Sequence, residues 1–101
     1  MIRVRHYTRV SSMRKIIAEQ RLRARDQDKV FLERAEARKL PPADAEEKYG
    51  LLPGRGNAYI EFDVAEDELY HRYNPAMRVE EWYVEGSVDL TSRNAEARFN
   101  F

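Results

Sequence analysis

Gly54-Arg55-Gly56-Asn57-Ala58-Tyr59-Ile60-Glu61-Phe62-Asp63-Val64 is the stretch whose reading decides the fold. From Pro53 onward its first half is a turn signal. Glycines at 54 and 56 open backbone angles closed to other residues, and a loop that approaches a ligand needs the same freedom. Its second half alternates, with Ala58, Ile60, Phe62 and Val64 on one face and Tyr59, Glu61 and Asp63 on the other, the period of a half-buried strand. A glycine-rich loop therefore feeds a strand whose first tyrosine leaves the apolar face.

Working back from this loop, Pro42 and Gly50 bracket a predicted helix, since proline suits a helix start and glycine the position just past its end. Residues 33–39, rich in Ala, Glu, Arg and Lys, read as a further helix stopping before Pro41-Pro42. Val30-Phe31-Leu32 and the alternation around Leu22 and Ala24 predict two brief strands. A helix capped by Ser11 or Ser12 runs to about Glu19, with Met13, Ile16 and Ile17 as its apolar stripe. Residues 2–7 alternate as a strand, Ile2, Val4 and His6 on one face and Arg3, Arg5 and Tyr7 on the other.

Beyond the decisive stretch, residues 67–73 fit a helical turn or a strand equally, and Asn74-Pro75 ends either. Residues 81–85 and 87–90 predict a pair of strands bent at Gly86. The tail after Thr91 reads as frayed. Six or seven short strands with two or three small helices define an α+β fold whose sheets enclose a cleft.

The 101 residues make a single domain, 1–101, with room for one modest core. Apolar residues form 43% and charged residues 36% of the chain, with no 20-residue apolar stretch and no signal-peptide core, the profile of a soluble globular protein. The absence of cysteine excludes disulfides, thiolate zinc sites and thiol catalysis, and two histidines are too few for a metal cluster. A net charge of zero hides an asymmetry: residues 1–39 carry twelve Lys/Arg against five Asp/Glu, and residues 40–101 six against thirteen. Fourteen of the eighteen cations are arginine, whose planar fork suits phosphate and carboxylate. The basic part can face pyrophosphate or RNA, or the two parts can attract each other within one small fold.

Three segments carry chemistry. His6, near a strand end with Tyr7 and Thr8, can bond a ribose hydroxyl through one ring nitrogen while backbone fixes the other, although a satisfied core histidine reads the same way. Tyr59 can lie against a flat heterocycle or serve as a cross-strand packer, and Arg55, beside Gly56, can clamp a phosphate or stay solvated. Glu80-Glu81 before Trp82-Tyr83-Val84 puts a carboxylate at the mouth of an aromatic strand. There it can bond a ribose hydroxyl and stabilise an oxocarbenium-like transition state, or simply guard a strand edge.

Together the His6-Tyr7-Thr8 opening, the Gly54–Asp63 centre and Glu81-Trp82-Tyr83-Val84-Glu85-Gly86-Ser87-Val88-Asp89-Leu90 resemble the short ADP-ribosyltransferase toxin domains of the His-Tyr-Asp signature type, found at the C-termini of bacterial polymorphic toxins. In the wider superfamily, a first-strand His binds the dinucleotide, a mid-chain Tyr stacks on nicotinamide and a late-strand Glu activates the ribose. His6, Tyr59 and Glu81 occupy those places in order. Glu81-Trp82-Tyr83-Val84 is similar to the Glu-Tyr-Ile-Val of the poly-ADP-ribose polymerases, whereas Tyr7 stands where those polymerases have glycine. Glu80 and Glu85 stay open as rivals to Glu81, and the Asp of the signature is Asp63 or Asp89.

The resemblance implies a split β-sandwich around an NAD cleft. NAD is consumed as substrate without a metal, held by His6, Tyr7, Thr8, Arg55, Gly56 and Tyr59, with Glu81 as the catalytic carboxylate. It implies an antibacterial mono-ADP-ribosyltransferase acting on a macromolecule, a translation factor or RNA among the acceptors. It further implies a larger secreted or injected scaffold with this domain at its C-terminal part, action in the target-cell cytoplasm, and a cognate immunity protein. Two alternatives compete: a small ribonuclease using His6, Arg55 and a tyrosine, and a binding module without catalysis.

Overall fold

Alternating strands that bury one face must stack that face against something, and here one helix and a two-stranded ladder cover it. The computed structural model describes residues 1–24 and 27–101. In order these form β1 (Ile2–Thr8), α1 (Val10–Glu19), β2 (Arg21–Leu22), β3 (Lys29–Arg34), α2 (Pro42–Tyr49), β4 (Ala58–Val64), a 3-10 turn (Glu66–Glu68), β5 (Tyr70–Asn74), β6 (Val79–Glu85), β7 (Val88–Asp89) and β8 (Glu96–Phe99). Six strands make one antiparallel sheet in the order β5-β6-β3-β1-β4-β8, and β2 pairs with β7 in a second ladder. No helix is long and apolar enough to cross a membrane among the described residues.

The core follows the alternation read from the sequence. Ala58, Ile60 and Phe62 are fully buried and Val64 nearly so, each facing away from Tyr59, Glu61 and Asp63. They pack with Val4, Val30, Leu32 and Val84 of the same sheet, Met13 of α1, and Leu22, Val88 and Leu90 around the small ladder. Each large aliphatic or aromatic side chain so buried contributes about 1.5–3 kcal/mol.

The opposite face is a charge zipper set by register. Arg3 stands opposite Asp63, Arg5 opposite Glu61 and Tyr7 opposite Tyr59 across β1 and β4. Arg5 is buried. Its Nε donates to Glu61 at 2.9 Å, one terminal nitrogen bonds Glu33 and the Ala37 carbonyl, and the other bonds the Ala35 carbonyl.

That network corrects the helix expected over residues 33–39. β3 runs to Arg34, and the chain then turns, the Ala35 amide donating to the Arg3 carbonyl at 2.9 Å. Helical propensity there is worth only tenths of a kcal/mol per residue, and Arg5, in demanding Glu33 and two carbonyl oxygens, outweighs it. The cap of α1 is also corrected. Arg9 holds the N-cap position without a side-chain bond, and both serines lie inside the first turn.

The tail is not frayed. β8 pairs with β4, and Asn100, almost fully buried, donates from its side chain to the Leu40 and Gly56 carbonyls and from its backbone to Asn57. Residues 67–73 split between the two expectations, a 3-10 turn followed by β5. α2 begins and ends as read, with Gly50 in the left-handed region at φ 63°. The expected bend at Gly86 is present between β6 and β7.

Helix α2 holds the glycine loop by backbone approach. A Cβ on Gly56 would stand 2.4 Å from the Pro42 carbonyl oxygen. Gly56→Ala must push the loop off α2, so a destabilisation of about 1–3 kcal/mol is expected. At roughly 4–8 °C per kcal/mol for a domain of this size, a thermal melt reads this directly.

The 3-10 turn is tied to the sheet's far end by Glu68. Its carboxylate takes two bonds from Arg93, at 3.0 and 2.8 Å, and one from the Ala65 amide. Those donors, Arg93 foremost, hold its pKa down at about 2. A depressed folded-state pKa contributes stability that is present above the ordinary carboxylate value and lost as pH falls toward 2. Melting temperature should therefore drop below about pH 4.5, and Glu68→Gln should lower it at pH 7 while shrinking the acid-dependent drop.

Candidate active site

Where β1 ends, its last residues meet the start of α1, the β2 segment, β3 and the far end of α2. The result is a cleft of about 330 Å³. His6, Tyr7 and Thr8 form one wall, Ser12, Lys15, Ile16 and Glu19 of α1 another, and Tyr49, Leu51 and Arg55 close it.

His6 is half-buried, and its Nδ1 lies 2.7 Å from the Phe31 carbonyl oxygen. A carbonyl only accepts, so Nδ1 carries the proton and Nε2 presents a lone pair. Desolvation lowers the pKa of His6 against the opposing pull of that carbonyl. The ring is thus a neutral acceptor suited to a hydroxyl.

Tyr7 is fixed from both sides: its hydroxyl donates to Glu33 at 2.8 Å and accepts from the Leu40 amide at 2.7 Å. Burial pushes its pKa up to about 12, so it stays a phenol. Arg55 owes its place to Glu46, whose Oε2 accepts from the Gly54 and Gly56 amides at 3.0 and 3.2 Å. The carboxylate holds the two glycine amides together, and the arginine between them lines the cleft.

The cleft thus brings together His6, Tyr7, Thr8 and Arg55; Gly56, Tyr59 and Glu81 are not among its lining residues. Gly56 lies buried beneath the loop. Tyr59 is on the zipper face, its ring 6.1 Å edge-on from Tyr7, with the Arg5 and Lys39 cations 5.4 and 5.8 Å from its centroid.

Glu81 faces Arg72 across β5 and β6, with Arg72 Nε at 3.5 Å from its Oε1. That oxygen is buried without a hydrogen-bond partner. Two residues further along the same face is Tyr83, 6.1 Å from Phe31, which does line the cleft. Glu85 stands opposite Lys29, another lining residue, and Glu80 pairs with His71.

Asp63 is engaged by Asn94 and Arg3, and Asp89 accepts from the Thr91 amide; these bonds lower both pKa values. Neither aspartate lines the cleft. Among the described residues no group of His, Cys, Asp or Glu is placed to hold a metal.

Sequence reasoning passed over Tyr49 and Glu19. Tyr49 ends α2 with its ring 5.8 Å from Tyr7 and its hydroxyl buried and unpartnered, and burial raises its pKa. An aromatic directly before a helix-ending glycine, five residues upstream of Gly54, was the available signal. Glu19 carried none, because only the fold of α1 against β2 brings it to the cleft.

A six-stranded antiparallel sheet, two helices and a cleft joining a neutral histidine to a loop arginine define a compact α+β domain. A family model described as "HYD1 signature containing ADP-ribosyltransferase" matches residues 4–94, and the chain belongs to that family of toxin ADP-ribosyltransferase domains. No curated protein and no solved structure matches it.

Proposed function

We propose that this domain is a mono-ADP-ribosyltransferase toxin that breaks the nicotinamide–ribose bond of NAD and transfers ADP-ribose to a macromolecule of a target bacterium. The observation that carries this reading is the family match over 4–94 together with His6 standing at the cleft as a hydroxyl acceptor. His6 and Thr8 take the ribose side of NAD, Tyr7 fixes the wall behind them, and Arg55, held by the loop containing Gly56, takes the pyrophosphate. Tyr59 backs Tyr7 from the zipper face. Glu81 supplies the negative charge that stabilises the ribosyl cation as neutral nicotinamide departs with the bonding electrons.

Its Oε1, buried without a hydrogen bond and held only by the Arg72 charge at 3.5 Å, supports that assignment, because a buried polar atom without a hydrogen bond is costly to leave in place unless something else binds it. Glu85 is the second reading, favoured by its position opposite Lys29 at the cleft. A secreted scaffold, delivery into another cell's cytoplasm and a cognate immunity protein complete the proposal.

The test is incubation of the protein with NAD labelled in its adenylate and a bacterial lysate, with nicotinamide measured alongside. Release of nicotinamide with label on a macromolecule is the expected result. A folded protein that releases none would overturn the reading, and RNA cleavage without NAD would replace it with a ribonuclease.

A further inference from the structure

Many arginines of the described residues are ion-paired away from the cleft. Arg3, Arg5, Arg34, Arg72, Arg93 and Arg98 are each within ion-pair distance of a carboxylate. The cleft instead gathers cations with few counterions. Among the described residues Arg9, Lys15, Arg21, Arg23, Lys29 and Arg55 line it against Glu19 alone, a formal excess of five positive charges. Among the described residues only Arg23 of these six has a carboxylate within 4.0 Å, Glu19 at 3.6 Å. Glu85 and Asp89 stand opposite Lys29 and Arg21 across strand pairs, and adding them still leaves an excess of three.

Depth divides the six. Lys29 and Arg55 are half-buried, and a dinucleotide's pyrophosphate needs no more than such a pair. Arg9, Lys15, Arg21 and Arg23 are exposed on the rim, running from the start of α1 to just past β2. Exposed cations cost solubility and folding nothing in water, but several of them gathered on one rim, with only Arg23 paired, suit a ligand that carries many negative charges. An acidic protein patch would have to gather several carboxylates without pairing them itself. A phosphodiester strand carries one charge per nucleotide by construction.

We propose that the acceptor of the ADP-ribosyl group is a nucleic-acid strand, held by its phosphates along the Arg9, Lys15, Arg21 and Arg23 rim of the cleft. The proposal rests on the NAD-dependent transfer reading above. In the step, the C1′–nitrogen bond to nicotinamide breaks and nicotinamide leaves with the electron pair. A hydroxyl or amino group of the strand bonds C1′, and its proton passes to solvent.

The test has two arms, each with a fluorescent 20-nucleotide RNA and a DNA of the same sequence. Anisotropy without NAD, between 50 and 200 mM salt, reads binding alone. With about four phosphates contacted, a slope of log affinity on log salt near −3 is expected for a single strand. Lys15→Glu/Arg21→Glu should roughly halve that slope. With labelled NAD, the ratio of strand labelling to nicotinamide release should fall at least tenfold in the double variant, and the strand that takes label identifies the sugar. Failure of both strands to bind overturns the proposal, as does label confined to protein while nicotinamide is released. Binding without any nicotinamide release instead defeats the transferase reading and leaves a strand-binding cleft.

Discussion

Glu81→Gln is expected to lower ADP-ribose transfer by about 10²–10³-fold, the usual effect of removing one preorganised group from a developing charge. The substitution is isosteric, so it removes charge and little else. Oε1 has no hydrogen bond to lose, only the part-exposed ion pair to Arg72 at 3.5 Å, and Arg72 keeps its placement over the Phe31 and Tyr83 rings, 5.6 and 5.2 Å from their centroids. The melting temperature should therefore move by no more than about 4 °C, the equivalent of less than 1 kcal/mol. Transfer rates with labelled NAD and a thermal melt on the same sample check both halves. Retained transfer would reassign the role, and Glu85→Gln run in parallel shows whether it passes to the carboxylate opposite Lys29.

The largest stability effect is expected from Arg5→Ala. Arg5 serves Glu33, Glu61 and the Ala35 and Ala37 carbonyls from a buried position, and Glu33 is itself buried. Removing the cation leaves Glu33 charged beside the Tyr7 hydroxyl with no counterion. Breaking a buried pair in this one-sided way costs about 3–5 kcal/mol. Domains of this size hold on the order of 5–15 kcal/mol in all, so the melting temperature should fall by roughly 12 °C or more. A fall under about 4 °C would mean that the loop from Ala35 to Leu40 is held by something other than this network.

What could be read from the sequence was whatever depends on neighbours along the chain. β4 was legible residue for residue because its alternation is strict and glycines punctuate its start, and α2 because Pro42 and Gly50 mark its ends. Residues 33–39 misled because their helical composition is local while the groups that unwind them, Arg3 and Arg5, lie some 30 residues away. The tail misled for the same reason, since Asn100 finds its partners at Leu40, Gly56 and Asn57.

The site divides likewise. His6 and Arg55 stood out by chemistry and by the elements around them, and the structure puts both at one cleft. Tyr49 and Glu19 entered through packing alone. The near equality of Glu81 and Glu85 in the sequence persists in the fold, because both lie on the same face of β6, one Tyr83 step apart in opposite directions.

The order of the strands in the large sheet sets when the cleft can form. β1 lies inside the sheet, between β3 and β4, and its register with β4 joins residue 2 to residue 64. A chain entering a compartment from its first residue, at synthesis speeds of about 5–20 residues per second, keeps one edge of β1 unpaired for several seconds. Such distant pairing makes for slow folding, and it means that His6 and Arg55 share no cleft until Val64 has arrived. The cleft is therefore a late product of folding, assembled only once strands far apart in the chain have paired.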